Sequence, residues 1–244
     1  MKPYSVTNNL RTKVWLSFII YLSSISYYEK STQPLGTNSM RLYYSRPSPF
    51  ARKALVALIE TNQINDVELE EVKIGPMAPG EIVPAANPLG KIPTLLLPNG
   101  SSIIDSKFIC RYIDEMNHNN HGIRLYPEGD TIWDALRLEA LADGILEAAV
   151  LLIYEVRVRA EHLRVQEWVD AQLLKITRTL LYFENNICEL EKGINMGSLS
   201  VAISLDYLDF RHKNINWQKT YPKLFTWYAS IKDRKSLSDT MPVD

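Results

Sequence analysis

Residues 87–106 read NPLGKIPTLLLPNGSSIIDS, and the spacing of prolines, glycines and apolar runs in this stretch decides the architecture around it. Two short apolar runs, "TLLL" at 94–97 and "SSII" at 101–104, flank an Asn99-Gly100 pair. Asn-Gly between such runs predicts an antiparallel hairpin, because both residues tolerate the positive φ a tight turn needs. Asp105 or Ser106 then caps a helix expected to run to about Met116, since either side chain can accept from the free amides of a first turn. The stretch from Pro76 to Pro93 is too interrupted for a long regular element.

Upstream lies the partner that this hairpin needs. "RLYYS" from Arg41 reads as a short strand, and a helix is expected from Pro49 to about Glu60, with Phe50, Ala54, Leu55 and Leu58 at helical spacing. Asn62 supplies a left-handed stop. "VELEEVKI" at 67–74 alternates apolar with acidic residues as a half-buried strand does. The order is β-α-β-α-β-β-α over residues 40–116. The first β-α-β implies a parallel pair with a right-handed crossover. An α/β mixed sheet with helices on its faces is the expected result.

Downstream the strand signals stop. "NHNNHGIRLYPEGD" at 117–130 is a polar, helix-poor linker. Thr131-x-x-Asp134 then reads as a capping box for a helix carrying Trp133, Leu136, Ala140, Ile145, Ala148 and Leu152. A further helix from 167 to about 191 presents Leu173, Ile176, Leu180, Phe183, Ile187 and Leu190 at spacings of three and four. "SLSVAISLDYLDFR" at 198–211 is so evenly apolar that it reads as a central, surrounded helix. "YPKLFTWYASIKDRKSL" gives one more amphipathic helix, with Pro222 near its start. The division is therefore an extension at 1–39, a sheet-containing domain at 40–117, a linker at 118–129 and an all-helical domain at 130–244.

The 244 residues carry a formal net charge of -1, with 46% hydrophobic and 10% aromatic residues. That fits a globular core and offers no electrostatic reason for nucleic acid or an anionic membrane as partner. Cys110 and Cys188 are the two cysteines, too few for a disulfide framework or a zinc pattern, and they suit a reducing, cytoplasmic compartment. His118, His121, His162 and His212 read as surface or packing residues, so no metal is expected. Residues 1–39 hold a charge of +3, which leaves -4 on the remainder. Three readings of this segment stay open: a membrane or targeting segment around residues 14–28, an ordered extra helix, or a translated extension upstream of a start at Met40. The last is favoured because organised sequence begins at Met40.

Five separate signatures, in this order, resemble those of a cytosolic glutathione S-transferase. They are "SPFARK" after the first strand, "NPLGKIP" before the third, "DS" at 105–106, "ALRLEALADGILEAA" at 135–149 and "YPKLFTWYASIKDRKSL" at 221–237. The nearest flavour is the bacterial type with Ser-Pro-Phe at its active site, a tripeptide shared with plant tau-class enzymes. The resemblance covers Met40 to about Pro242. It implies a thioredoxin-like N-terminal domain that binds glutathione and an all-α helical bundle that completes the electrophile site. Such enzymes are cytoplasmic detoxification proteins and homodimers, and they use glutathione as co-substrate without a metal.

The resemblance also assigns residues. Ser48 becomes the position that bonds the glutathione sulfur, with Ser45 as its competitor and a plain helix cap as the bland reading. Pro49 pushes Ser48 out of the helical region, which places its hydroxyl at a helix N-terminus. An unperturbed thiol has a pKa near 8.5, and lowering it by about two units takes roughly 2.7 kcal/mol. A hydroxyl hydrogen bond to a charged acceptor contributes roughly 1.5 to 3 kcal/mol, and a helix N-terminus adds about 0.3 to 2. Serine cannot form the mixed disulfide that cysteine-bearing relatives use, so conjugation to a small electrophile, or peroxide reduction, is expected. Ile92-Pro93 resembles the family's cis-proline corner for the cysteinyl part of glutathione. Lys91 would face its glycine carboxylate, and Asp105 with Ser106 would receive the γ-glutamyl group. Arg52 is expected to support the site or the packing, and Tyr154, Arg157 and Arg159 are candidates for the acceptor pocket. Ser198 with Val201 leaves half of the family's central-helix capping box missing, which predicts a stability cost on the order of 1 kcal/mol. The alternative from another class is a non-catalytic member of the fold acting as a binding or regulatory protein.

Overall fold

The computed structural model describes residues 39–117 and 123–244. The N-terminal segment, including the stretch around 14–28, and both His118 and His121 lie outside the described residues. Strand β1 (Met40–Tyr44) leads into helix α1 (Pro49–Glu60) and strand β2 (Val67–Glu71). A short helix α2 (Ile82–Ala86) precedes the hairpin β3 (Thr94–Leu96) and β4 (Ser102–Ile104), and α3 (Ser106–Met116) follows. The sheet order is β2-β1-β3-β4, with β1 and β2 parallel and the other two pairings antiparallel. This is the mixed sheet expected from the element order, in the thioredoxin-like form that the resemblance implies.

Strand β2 stops three residues before the apolar-acidic alternation does. Its partner runs out, because Glu71 already faces Tyr44, the last residue of β1. Val72 adds one amide bond to the Tyr44 carbonyl at 2.8 Å and turns into a small cluster with Tyr43, Val83 and Leu96. As an edge strand, β2 shows its acidic residues outward, where Arg41 meets Glu68 and Glu70 at 3.0 and 3.1 Å.

The remainder is helical: α4 (Ile132–Arg157), α5 (Gln166–Asn185), α6 (Ile187–Leu190), α7 (Met196–Arg211), α8 (Trp217–Thr220), α9 (Pro222–Ile231) and α10 (Lys235–Ser238). The expected Thr131 cap is absent. Thr131 has helical φ and ψ, lies in a 3-10 turn, and its hydroxyl donates to the Glu128 carbonyl at 2.9 Å. The buried face of α4 is Ala135, Leu138, Ala142, Ile145, Leu146, Ala149 and Leu152. Trp133 lies off that face and is 68% exposed. The single helix expected from 167 to 191 breaks at Asn186, whose side chain donates to the Tyr182 carbonyl at 2.8 Å. The last amphipathic helix likewise splits, so that Arg234 and Ser236 can reach Glu60 of α1.

Helix α7 is the central helix, buried along its length from Met196 to Leu208. Its cap is complete, contrary to the half-missing box expected at Ser198. The helix begins one turn earlier, with Asn195 as N-cap accepting from the Ser198 amide at 3.1 Å and the Ser198 hydroxyl accepting from the Asn195 amide at 3.0 Å. The box is Asn-x-x-Ser, with serine in the third-residue role. Helices α4 and α7 run parallel and close, with Gly197 against Ala135 and Leu138 at their starts and His212 against Ala149 farther along. Residues 123–129 are no free linker, since Leu125 and Tyr126 are buried and their amides donate to Asp114 of α3. Among the described residues no helix is long and apolar enough to cross a membrane.

Candidate active site

Three chain segments leave the same end of the sheet. Tyr43 of β1 is registered with Thr94 of β3, and Thr94 with Ile104 of β4, so these residues form one line across the strands. Ser45 to Ser48 follow the end of β1, Ile92-Pro93 precede the start of β3, and Asp105-Ser106 follow the end of β4. Neighbouring strands lie about 4.8 Å apart, so the three segments start within about 10 Å of one another.

Ser48 is the N-cap of α1, with φ -81° and ψ 116°, and Pro49 is the first helical residue. Its Oγ accepts from the Ala51 amide at 3.2 Å, while its own amide donates to the Ser45 carbonyl at 3.0 Å. The Ser48 hydroxyl donates to no described residue. An oxygen fixed by the cap, a hydroxyl hydrogen left over and the positive end of a helix dipole therefore coincide at one partly exposed point. Ser45 lies in the turn before it and contributes its carbonyl.

The Ile92-Pro93 peptide is cis, with Pro93 buried and Lys91 exposed. This corner is built by Asn87, a residue that sequence reasoning quoted only as part of a motif. Buried Asn87 donates to the Lys91 carbonyl at 2.9 Å and to Thr94 Oγ1 at 3.1 Å, and its own oxygen accepts from the Leu89 amide at 3.0 Å. Thr94 donates to the Lys91 carbonyl at 2.8 Å. The Ile92 amide and carbonyl are not taken up by another described backbone group. An asparagine before proline, four residues ahead of a lysine whose carbonyl it holds, was the available signal.

Asp105 caps α3 and accepts from the Lys107 amide at 3.0 Å; Ser106, first in the helix, is buried. Asp105 has φ 71°, where a side chain costs of order 1–3 kcal/mol. The helix it starts is eleven residues long, and free amides of such a first turn suit a carboxylate.

Two buried cation sites hold α1 against the helices, and both escaped sequence reasoning apart from the packing role given to Arg52. Arg52 meets Asp206 of α7 at 2.7 Å and donates to the Leu237 carbonyl at 2.9 Å and to Thr240 at 3.1 Å. The Tyr228 hydroxyl donates to the same Asp206 carboxylate. Lys53, fully buried, meets Glu139 at 2.9 Å and Asp143 at 2.6 Å. Burial would lower the Lys53 ammonium, but those two carboxylates outweigh it and raise its pKa to about 12. Glu139 is pushed up by burial against the pull of Lys53, and it accepts from the Tyr126 hydroxyl at 3.0 Å. Cys110, also buried, is held protonated because burial drives its thiol pKa well up. It is no nucleophile.

The acceptor-side candidates end α4. Tyr154 is partly exposed, and burial raises its hydroxyl. Arg159 meets Glu155 at 2.8 Å, one helical turn back. Arg157 lies 3.9 Å from Asp244. His162 is exposed, and His212 packs with Nε2 2.9 Å from the Ala149 carbonyl. Among the described residues no group of three or more His, Cys, Asp or Glu side chains could hold a metal.

Residues 47–116 match the family model for the glutathione S-transferase N-terminal domain. A glutathione transferase family member from Pseudomonas fluorescens Pf-5, solved with bound glutathione, is 40% identical. The match covers 84% of this chain and 100% of that one, with a TM-score of 0.81. The structure of a family member from the same organism with bound S-(propanoic acid)-glutathione matches at 39% identity over the same shares, with a TM-score of 0.76. Among curated proteins, the uncharacterized GST-like protein YibF of Escherichia coli (strain K12) is 29% identical over 209 residues, 83% of this chain and 98% of that protein.

Proposed function

Because the chain belongs to the glutathione S-transferase family, we propose that it activates glutathione at Ser48 and delivers the thiolate to a small electrophile or a peroxide. The observation that carries this reading is the cap geometry, where the Ser48 oxygen accepts from Ala51 and leaves its hydroxyl hydrogen for a sulfur. In conjugation the thiol proton leaves to solvent, the sulfur-carbon bond forms and the leaving group departs with its electron pair. In peroxide reduction two glutathione thiols become a disulfide while the O–O bond becomes an alcohol and water. Ile92 would offer its backbone groups to the cysteinyl part, Pro93 the corner, Lys91 a charge for the glycine carboxylate, and Asp105 with Ser106 the γ-glutamyl seat. The relatives from Pseudomonas fluorescens hold glutathione and a glutathione substituted at sulfur, which supports the same co-substrate here. We also place the protein in the cytoplasm as a homodimer, a reading that the free Cys110 and Cys188 and the exposed Phe108 and Trp133 favour.

The test is Ser48→Ala with Ser45→Ala beside it, followed by aryl-halide conjugation and by titration of the ultraviolet thiolate band of bound glutathione. Ser48→Ala is expected to lower turnover about tenfold or more and to raise the bound thiol pKa by about one to two units. Its stability should fall by only about 1 kcal/mol, the worth of a cap. Unchanged turnover in Ser48→Ala would move the thiolate contact to Ser45 or to backbone amides.

A further inference from the structure

The C-terminal parts of the parallel helices α4 and α7 carry Tyr154 and Arg157, and Tyr207 and Arg211, with α4 running past the end of α7. A cation in a last turn offsets the helix dipole, which accounts for an arginine at each end. It does not account for how Arg211 is held. Its guanidinium lies over the Phe210 ring at 3.7 Å, and its side chain is only 8% exposed. Its carboxylate partner is Asp244, which accepts from Nη1 at 3.1 Å and from Nη2 at 2.5 Å in a two-pronged pair. Arg157 approaches the same carboxylate from α4. Asp244 is itself 71% exposed. The cation is thus built into the fold, while its anion sits at the surface on an irregular segment.

That segment starts against the helix that Ser48 caps. Thr240 accepts from Arg52 at 3.1 Å and the Met241 sulfur lies 3.4 Å from the Arg52 guanidinium, and Arg52 stands in the helix that Ser48 caps. Residues 240–244 therefore run from α1 to the arginine pair. Five extended residues span at most about 17 Å, which bounds that separation. A buried guanidinium needs an anion, and an exposed carboxylate that merely rests on it can be exchanged for one of similar shape.

We propose that Arg211 and Arg157 form a carboxylate subsite for the acceptor, where the Asp244 side chain occupies the position of the substrate's anionic group. Acceptors that pair an electrophilic carbon with a carboxylate displace Asp244 and dock with that carbon toward the Ser48 thiolate. This names the acceptor class of the reaction proposed above and rests on that reading.

The test compares 4-chloro-3-nitrobenzoate with its neutral isostere, 4-chloro-3-nitrobenzamide, on the full chain. Each reacts by forming a carbon-sulfur bond and releasing chloride, and the thiol proton goes to solvent. Two quantities are read: the ratio of kcat/KM for acid over amide, and the ratio of their dissociation constants by calorimetry with S-methylglutathione, which cannot react, present. The acid is expected to be preferred. Arg211→Gln should reduce both ratios about tenfold or more, the range of a charge-assisted contact. Arg157→Gln, at an exposed position, should reduce them by less. Asp244→Asn should raise them, because the competing carboxylate is gone. A latch that serves stability alone would change melting temperature in Asp244→Asn and leave both ratios where they were, and that result would overturn the proposal. So would equal binding of acid and amide by the unmodified protein. If neither compound turns over but the acid still binds preferentially through Arg211, the thiolate reading of Ser48 fails and the subsite stands.

Discussion

A buried ammonium with two carboxylates is a residue-level commitment that leaves little slack. Lys53 carries the only cation paired with Glu139 and Asp143 among the described residues, and its side chain has no exposed surface. Lys53→Met would keep the volume and strand both carboxylates, which is expected to cost about 3–5 kcal/mol. Urea denaturation checks this, and adding Glu139→Gln should recover part of the loss; a loss under about 1 kcal/mol would place the pair in the class of surface ion pairs. Reading these roles from sequence alone was not possible. Lys53 follows Arg52 in a helix whose apolar spacing is set by other residues, and its partners lie about ninety positions away. The cap at Ser48, by contrast, was legible because a hydroxyl before proline at the start of an apolar-periodic run has few other structural uses. Asn87 falls between: its motif was visible, and its bonds to the Lys91 carbonyl and Thr94 were not.

At the scale of elements, the sheet and the helix around Ser48 were readable because their signals are local. Turn chemistry at Asn99-Gly100, proline at the first helical position and apolar runs of three or four residues each act within a few positions. Helix ends in the second half were misread for the opposite reason. Thr131-x-x-Asp134 has the side-chain pattern of a cap without its backbone, and the box that is incomplete from Ser198 is complete from Asn195, three residues earlier. Caps depend on where φ and ψ leave the helical region, and side-chain identity alone does not report that. The start of α7 also fixes how closely it lies on α4. A Cβ at Gly197 would meet the Ala135 carbonyl oxygen at 2.4 Å and the Leu138 Cβ at 2.8 Å. Gly197→Ala is therefore expected to destabilise by about 1–3 kcal/mol through overpacking, read as a lower urea midpoint. A neutral or stabilising effect, as an ordinary helical glycine would give, would show that the two helices can separate at little cost.

Taken as a whole, the described residues form one unit, and its stability carries a pH dependence that one buried ring helps set. His212 joins α7 to α4 through the Ala149 carbonyl, and burial holds its pKa below the usual 6.5. The unfolded chain therefore takes up a proton at a higher pH than the folded one does. The stability His212 contributes is present above about pH 6.5 and is lost as pH falls through its lowered folded value. The urea midpoint is expected to decline between about pH 8 and about pH 5, and His212→Gln should flatten that decline; an unaltered slope would assign the effect to other groups. The global arrangement was legible as a sheet followed by helices. What joins the two was not, because the joining residues are charged and charge normally signals a surface. Helix α1 sends Arg52, Lys53 and Glu60 to partners on α4, on α7 and in the last turns of the chain. Cutting the chain between 117 and 130 would separate every one of those pairs, leaving Arg52, Lys53 and Glu60 orphaned on the sheet-bearing piece and Glu139, Asp143, Asp206 and Arg234 orphaned on the helical piece. Neither piece is a transplantable cassette, and a chimera with a related sequence must carry both sides of the seam together.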